Sequence, residues 1–281
     1  MRAFRVAYDG ADYRGFQRQP SVSTVEDALL DAVEALDVID RDDGPPPGYA
    51  AAGRTDAGVS ALAQTIAFDA PDWLTPRALN SRLPADVCVW ASATVPPDFH
   101  ATHDAVAREY EYHLYAPAAE ANRASTVIDR LVGRHDVANL TPDDDGTERT
   151  LDPTIVVDGA FLVLRFHAGG FPRQFVRRAV ELVREVATGE APLEKVDRVL
   201  DPSPLPGPEG VPPAPPRPLV LVDVSYPGVE FTADETAANR TREAFDRKRT
   251  AWQTRSRVAG RVVSGIERHG PGPDDAGTGA D

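Results

Sequence analysis

Two stretches of every-other-residue patterning set the outline of this chain. Phe4, Val6 and Tyr8 alternate with Ala3, Arg5 and Ala7 until the turn signal Asp9-Gly10. Over 106–115, Arg108, Tyr110, Tyr112 and Leu114 share one face of a strand and Glu109, Glu111 and His113 the other. Each stretch opens a run of strands interleaved with helical segments. In the first run, Val25, Leu29, Ala32, Val33 and Leu36 recur at helical spacing behind the capping-box pattern Ser23-Thr24-Val25-Glu26, which predicts a helix over 24–37. A strand near 63–68, a turn of helix near 76–82 and a strand near 87–94 follow. In the second run, a helix is expected over 125–132, an acidic solvated turn over 142–146, strands near 152–158 and 161–167, and a helix from Pro172 to Thr188 closed by Gly189. The segment 201–218 holds nine prolines and must be a loop, and Val220–Tyr226 reads as a last strand. Two such runs predict an α+β protein with two similar halves.

Charge bears on what such a fold can bind. The 281 residues include 44 Asp and Glu against 30 Lys and Arg, a net charge of −14, and only Lys195 and Lys248 are lysines. Acid-rich, lysine-poor composition suits high salt, where the screening length shrinks to about 3 Å near 1 M. A strongly acidic total argues against a nucleic-acid partner unless one face is locally basic. From about 233 the pattern turns helical and the charge reverses: Arg240 to Arg268 holds nine basic residues against Glu243, Asp246 and Glu267. That segment is either a solvated helix or a surface for RNA phosphates. Pro271–Asp281 reads as a disordered acidic tail. No run of 18 apolar residues is present, and Met1 leads straight into a strand without a signal-peptide block, so the expected location is cytoplasmic. Cys88 is alone, which leaves no internal disulfide or cysteine-based metal site. His100 and His103 lack a further ligand at suitable spacing, so no metal or organic cofactor is expected.

The segment Gly53-Arg54-Thr55-Asp56-Ala57-Gly58-Val59 is the most informative for chemistry. Its glycines allow a sharp turn or close approach to a ligand, and Arg54 and Asp56, two apart in extended chain, can share a face. On spacing alone, Asp56 is better explained as a turn residue capping its own backbone. Its setting adds more. Tyr8-Asp9-Gly10 precedes Gly15-Phe16-Gln17-Arg18-Gln19; Asn80-x-x-Leu83-Pro84 and Val95-Pro96-x-Asp98-Phe99-His100-Ala101 come after the glycine-flanked segment; Arg108-x-Tyr110-x-Tyr112, Phe175-Val176-Arg177 and the strand Leu219–Tyr226 complete the series. In this order the motifs resemble those of the TruA family of tRNA pseudouridine synthases across about 1–228, with the family's catalytic aspartate falling on Asp56. The chain departs from the family pattern at Ser60, commonly His; at Thr102, usually Arg; at Phe16, commonly Trp; and at Pro218, often Gly.

The resemblance implies two ferredoxin-like, RRM-like halves, 1–104 and 105–228, forming one continuous antiparallel sheet with the catalytic cleft between them. Residues 229–281 would be a basic helical extension ending in the tail. It implies an isomerase that converts uridine to pseudouridine at positions 38, 39 and 40 of the tRNA anticodon arm without metal or cofactor, working as a homodimer, with neither DNA nor a membrane as partner. Asp56 would be the nucleophile, a role suited to a carboxylate at neutral pH. Arg54 would pair with Asp56, hold a phosphate or fill the stack the target base vacates. Tyr110 would be a catalytic residue, stacking on the uracil or accepting a proton, and Arg177 would pair with Asp56 or a phosphate. Arg14, Gln17 and Arg18 are further candidates for RNA contact, and Arg2, Arg5, Arg173, Arg178 and Arg184 could join Arg14, Arg18 and Arg177 in a basic cleft. The competing expectation is a non-catalytic RNA-binding protein of the same fold. A glycosidase-type hydrolase would require a second acidic residue in a comparable motif.

Overall fold

The computed structural model describes residues 1–269; the tail expected at Pro271–Asp281 lies outside the described residues. The chain divides after Ala238 into two compact units. The first unit holds β1 (Arg2–Tyr8), α1 (Val25–Glu34), β2 (Ala50–Ala51), β3 (Ser60–Phe68), α2 (Pro76–Asn80) and β4 (Val87–Thr94). It continues with β5 (Ala107–Tyr115), α3 (Ala121–Leu131), β6 (Gly133–Asp136), β7 (Glu148–Asp158), β8 (Phe161–Ala168), α4 (Phe175–Ala187), α5 (Glu194–Leu200), β9 (Leu219–Ser225) and β10 (Thr232–Ala233). A helix α6 (Glu235–His269) runs from there into the second unit.

The ten strands of the described residues join one sheet, ordered β10-β4-β1-β3-β9-β5-β8-β7-β6, with β2 beside β3. From β1 to β4 the chain follows the ferredoxin-like βαββαβ path, and its strands lie in the order β4-β1-β3-β2. From β5 to β9 the same path recurs, in the order β9-β5-β8-β7. The molecule is therefore α+β with two ferredoxin-like halves. The sheet is antiparallel except at the seam, where β3 and β9 run parallel through Ser60↔Val220 and Ala61↔Leu221. Room for β9 on that edge of β3 is left by the short β2. With two residues it covers only Ala67 and Ile66 of β3, and the rest of that edge accepts β9.

Each half buries its own core. Phe4, Tyr8, Leu29, Ile66, Phe68 and Leu79 belong to the first, and Tyr112, Leu131, Leu164, Phe166, Phe175 and Val183 to the second. In α4 the buried Val176, Ala179, Val180, Val183 and Ala187 follow helical spacing. Strand β9 serves both cores, with Leu219 in the second and Leu221 and Val224 in the first. The start of α1 differs by one residue from the expected capping box: Thr24, not Ser23, is the N-cap, accepting from the Asp27 amide at 3.2 Å and donating to Asp27 Oδ2 at 2.6 Å.

Candidate active site

The segment after β2 carries Asp56 and is fixed from three sides. Thr55 is buried, and its Oγ1 lies 2.7 Å from the Tyr8 hydroxyl on β1. The Phe16 amide donates to the Thr55 carbonyl at 3.1 Å, and Gln64 Nε2 on β3 donates to the Gly53 carbonyl at 2.7 Å. Gly10 has no room for a side chain: a Cβ there would lie 2.0 Å from the Val59 carbonyl oxygen. Ser60, where the family commonly has His, accepts from the Gly10 amide at 3.1 Å. Thr102, where the family usually has Arg, donates its hydroxyl to the Ala51 carbonyl at 2.6 Å. Both departures thus hold loop backbone.

Arg108 on β5 gathers three loops. Its Nη2 donates to the carbonyls of Ala52 and Thr102, each at 2.8 Å, and Nη1 to that of Gly169 at 2.8 Å. The next inward position on that strand is Tyr110, which faces Phe171 edge-on at 5.5 Å between ring centres. Phe171 in turn stacks on Phe175 at 5.9 Å. Burial pushes the Tyr110 phenol up to about 12, with Arg108 opposing the shift and the Asp56 charge adding to it. The phenol is therefore protonated at neutral pH, an apolar platform with a hydroxyl at its edge.

The cationic partner of Asp56 is Arg177, in the first turn of α4. Arg177 Nη1 meets Asp56 Oδ2 at 2.9 Å, while its Nε donates to the Ala214 carbonyl at 2.6 Å. The two anchors leave the guanidinium 14% exposed and the carboxylate 36% exposed, so Asp56 is reachable from solvent while its partner is fixed. Asp56, Arg54, Gln17, Tyr110 and Arg177 line one cavity of about 660 Å³, which takes its walls from both halves. Arg54 is exposed there and, among the described residues, has no ion-pair partner.

Most of the eight arginines do not converge on the Asp56 cavity. Arg5 is buried under the sheet, donating to Asp223 Oδ1 at 3.1 Å and the Val224 carbonyl at 2.7 Å. Arg2 donates to the backbone of Leu74 and to Ser92. Arg178 donates to the Val211 carbonyl at 2.6 Å, and Arg184 pairs with Glu181 and Glu190. Arg18 pairs with Asp27 at 3.5 Å and, like Arg14, lies outside the lining of the Asp56 cavity. Of the eight arginines, Arg173 and Arg177 alone line that cavity. Strand and helix periodicity reports which face a side chain takes, not which loop meets it, and most of these guanidiniums are claimed by carbonyls or carboxylates nearby.

One acidic residue was not legible as part of the site. Asp143, expected in a solvated turn, lines the cavity and accepts from Arg173 Nε at 2.6 Å and from the Arg173 amide at 2.8 Å. Those bonds, the backbone one foremost, hold its carboxyl below the usual range. His100 and His103, also in the lining, lie with ring centres 4.1 Å apart and planes tilted by 37°.

The sequence matches a known family. A family model described as tRNA pseudouridine synthase matches residues 127–227. A tRNA pseudouridine synthase A from Haloarcula marismortui is 57% identical over 275 residues, which span 95% of this chain and all of that protein. This chain belongs to the tRNA pseudouridine synthase A family. Its namesake from Natronomonas pharaonis is 58% identical over 262 residues, 92% of this chain and 98% of that protein. The one from Thermococcus kodakarensis is 35% identical over 254 residues, 87% of this chain and 92% of that protein. The part of this chain left unmatched by the Haloarcula synthase is shorter than 229–281, so much of the basic extension is shared with that synthase. The first two synthases come from halophiles, in keeping with the acid-rich composition.

Proposed function

We propose that Asp56 is the nucleophile with which this tRNA pseudouridine synthase isomerises uridine at positions 38, 39 and 40 of the anticodon arm. The reaction breaks the N1–C1′ bond and joins C1′ to C5; C5 loses a proton and N1 gains one, so it is redox-neutral. The observation that carries this reading is the pairing of Asp56 with Arg177 inside a cavity floored by Tyr110. A protein that only bound RNA would have no use for an accessible carboxylate facing a phosphate backbone. The target base must leave its stack, at a cost of a few kcal/mol. Tyr110 offers the flipped uracil an apolar face, and its protonated phenol favours stacking over service as a resting base. Arg54, unpaired, is available to fill the vacated position or to hold a phosphate. Gln17 meets the RNA at the mouth of the cavity. The enzyme acts in the cytoplasm as a homodimer, so that one tRNA touches both subunits. Its two halves divide near residue 104.

The test is incubation with an unmodified tRNA transcript at high salt, followed by position-resolved mapping of pseudouridine. Wild type is expected to form it in the anticodon arm. Asp56→Asn is expected to lose at least about 1,000-fold in rate, as removal of a nucleophile does, while Kd for tRNA stays within a few-fold. Absence of pseudouridine from wild type, with tRNA still bound tightly, would replace the synthase reading by the binding protein.

A further inference from the structure

A polyanion approaching this molecule meets an unfavourable total. Removing the nine basic and three acidic residues of Arg240–Arg268 from the 30 and 44 of the whole chain leaves 21 against 41. Within α6, the span Arg240–Arg268 carries nine basic residues against three acidic ones. Arg257, Arg261 and Arg268 recur at i, i+4 and i+11, which puts them on one stripe of the helix. The stripe spans about 17 Å at 1.5 Å per residue. All three side chains are exposed, and among the described residues none meets a carboxylate; Arg268 donates to its own helix at Ser264. Elsewhere, the exposed Arg134, Arg165, Arg173 and Arg198 each hold a carboxylate, whereas Arg54 is exposed without one among the described residues. A face about 120° round the same segment carries Val258, Val262 and Ile266.

We infer that the Arg257–Arg261–Arg268 stripe of α6 is an RNA-backbone contact, gripping phosphates of the tRNA on which the cavity acts. This rests on the synthase reading for the identity of the RNA. Charge complementarity decides the occupant. Three guanidiniums on one line, none of them meeting a carboxylate among the described residues, suit phosphate oxygens, which take paired N–H donors from each fork. In strong salt, where point charges are screened, such directed contacts outlast diffuse attraction. The apolar side faces away from the stripe and is not part of the contact.

The test uses the full chain carrying Arg257→Gln, Arg261→Gln and Arg268→Gln together, since glutamine keeps helix propensity. Kd for an unmodified tRNA transcript is measured across a salt series. The variant is expected to bind roughly 10-fold more weakly, its KM for tRNA rising in step, and the slope of log K against log salt is expected to fall by about two to three. The matching triple Arg→Lys variant should keep most of the slope, which separates lost charge from lost structure. Unchanged Kd and slope in the Gln variant would overturn the inference. So would unchanged tRNA binding with lost adsorption to anionic vesicles, or with a smaller sedimenting mass; these would assign the helix to a membrane surface or to a second copy. Failure of the synthase reading looks different. Wild type would then make no pseudouridine in any tRNA, yet the stripe would still weaken RNA binding when neutralised.

Discussion

Asp56 and Arg177 lie 121 residues apart in the chain and 2.9 Å apart in space. No local spacing encodes that meeting, and the nearer Arg54 was the more obvious partner. What brings the two together is backbone held by side chains. Arg108 illustrates this, because its guanidinium satisfies the carbonyls of Ala52, Thr102 and Gly169 at once. It acts through the loops, as a positioning residue. Arg108→Ala should cost about 2–3 kcal/mol of stability, since hydrogen bonds to a charged donor are lost and acceptors are left bare. Turnover should fall by about 10- to 100-fold even where the protein remains folded. Urea titration and a single-turnover rate check the two effects, and Arg108→Lys, which keeps charge without the fork, should recover little of the rate. A variant with wild-type turnover would show that the loops hold their form without the fork.

Among the elements, β9 does the most to join the halves, since it contributes side chains to both cores and pairs with β3 and β5. Leu221→Ala should lower stability by about 3 kcal/mol, as for other buried Leu→Ala changes. The loss should appear equally in far-UV circular dichroism, which sees both halves, and in tryptophan fluorescence, for which Trp73 and Trp90 report the first half. Separate transitions would mean that the halves unfold independently. The strands that carry this architecture were legible because their apolar faces alternate: β4 was expected over 87–94, and β5, β8, β9 and α4 lie within a few residues of their expected bounds. β2, β6 and β10 are two to four residues long, too short to carry a period, and the seven-residue α5 was missed for the same reason. The site divided along the same line. The segment around Asp56 and the Arg108-x-Tyr110 strand announce themselves as motifs, whereas the Asp143–Arg173 contact joins a turn to a distant loop and leaves no pattern.

At the scale of the whole molecule, the tyrosines couple the fold to pH. Burial raises Tyr110, Tyr112 and Tyr226 to about 12, and Tyr8, Tyr13 and Tyr49 are raised as well. In the unfolded chain these phenols ionise near pH ~10. Between about pH 10 and 12 the folded state therefore holds protons that the unfolded state has released, and stability falls as pH rises. It should be insensitive to these groups below about pH 10, then decline by up to ~1.4 kcal/mol per pH unit for each tyrosine still protonated. Urea midpoints taken at rising pH, with phenolate absorbance followed in parallel, check this; midpoints constant through pH 11 would contradict it. The brevity of β2 has a consequence of another kind. The exposed edge of β3 is a single berth with two claimants: β2, a few residues upstream, and β9, which arrives after some 150 residues of intervening chain. Closure of a short loop outruns closure of a long one, so in any race for that edge the neighbour wins. The distant strand gets its place because its rival stops after two residues, and a β2 lengthened by evolution or by design would shut the second half out of the sheet.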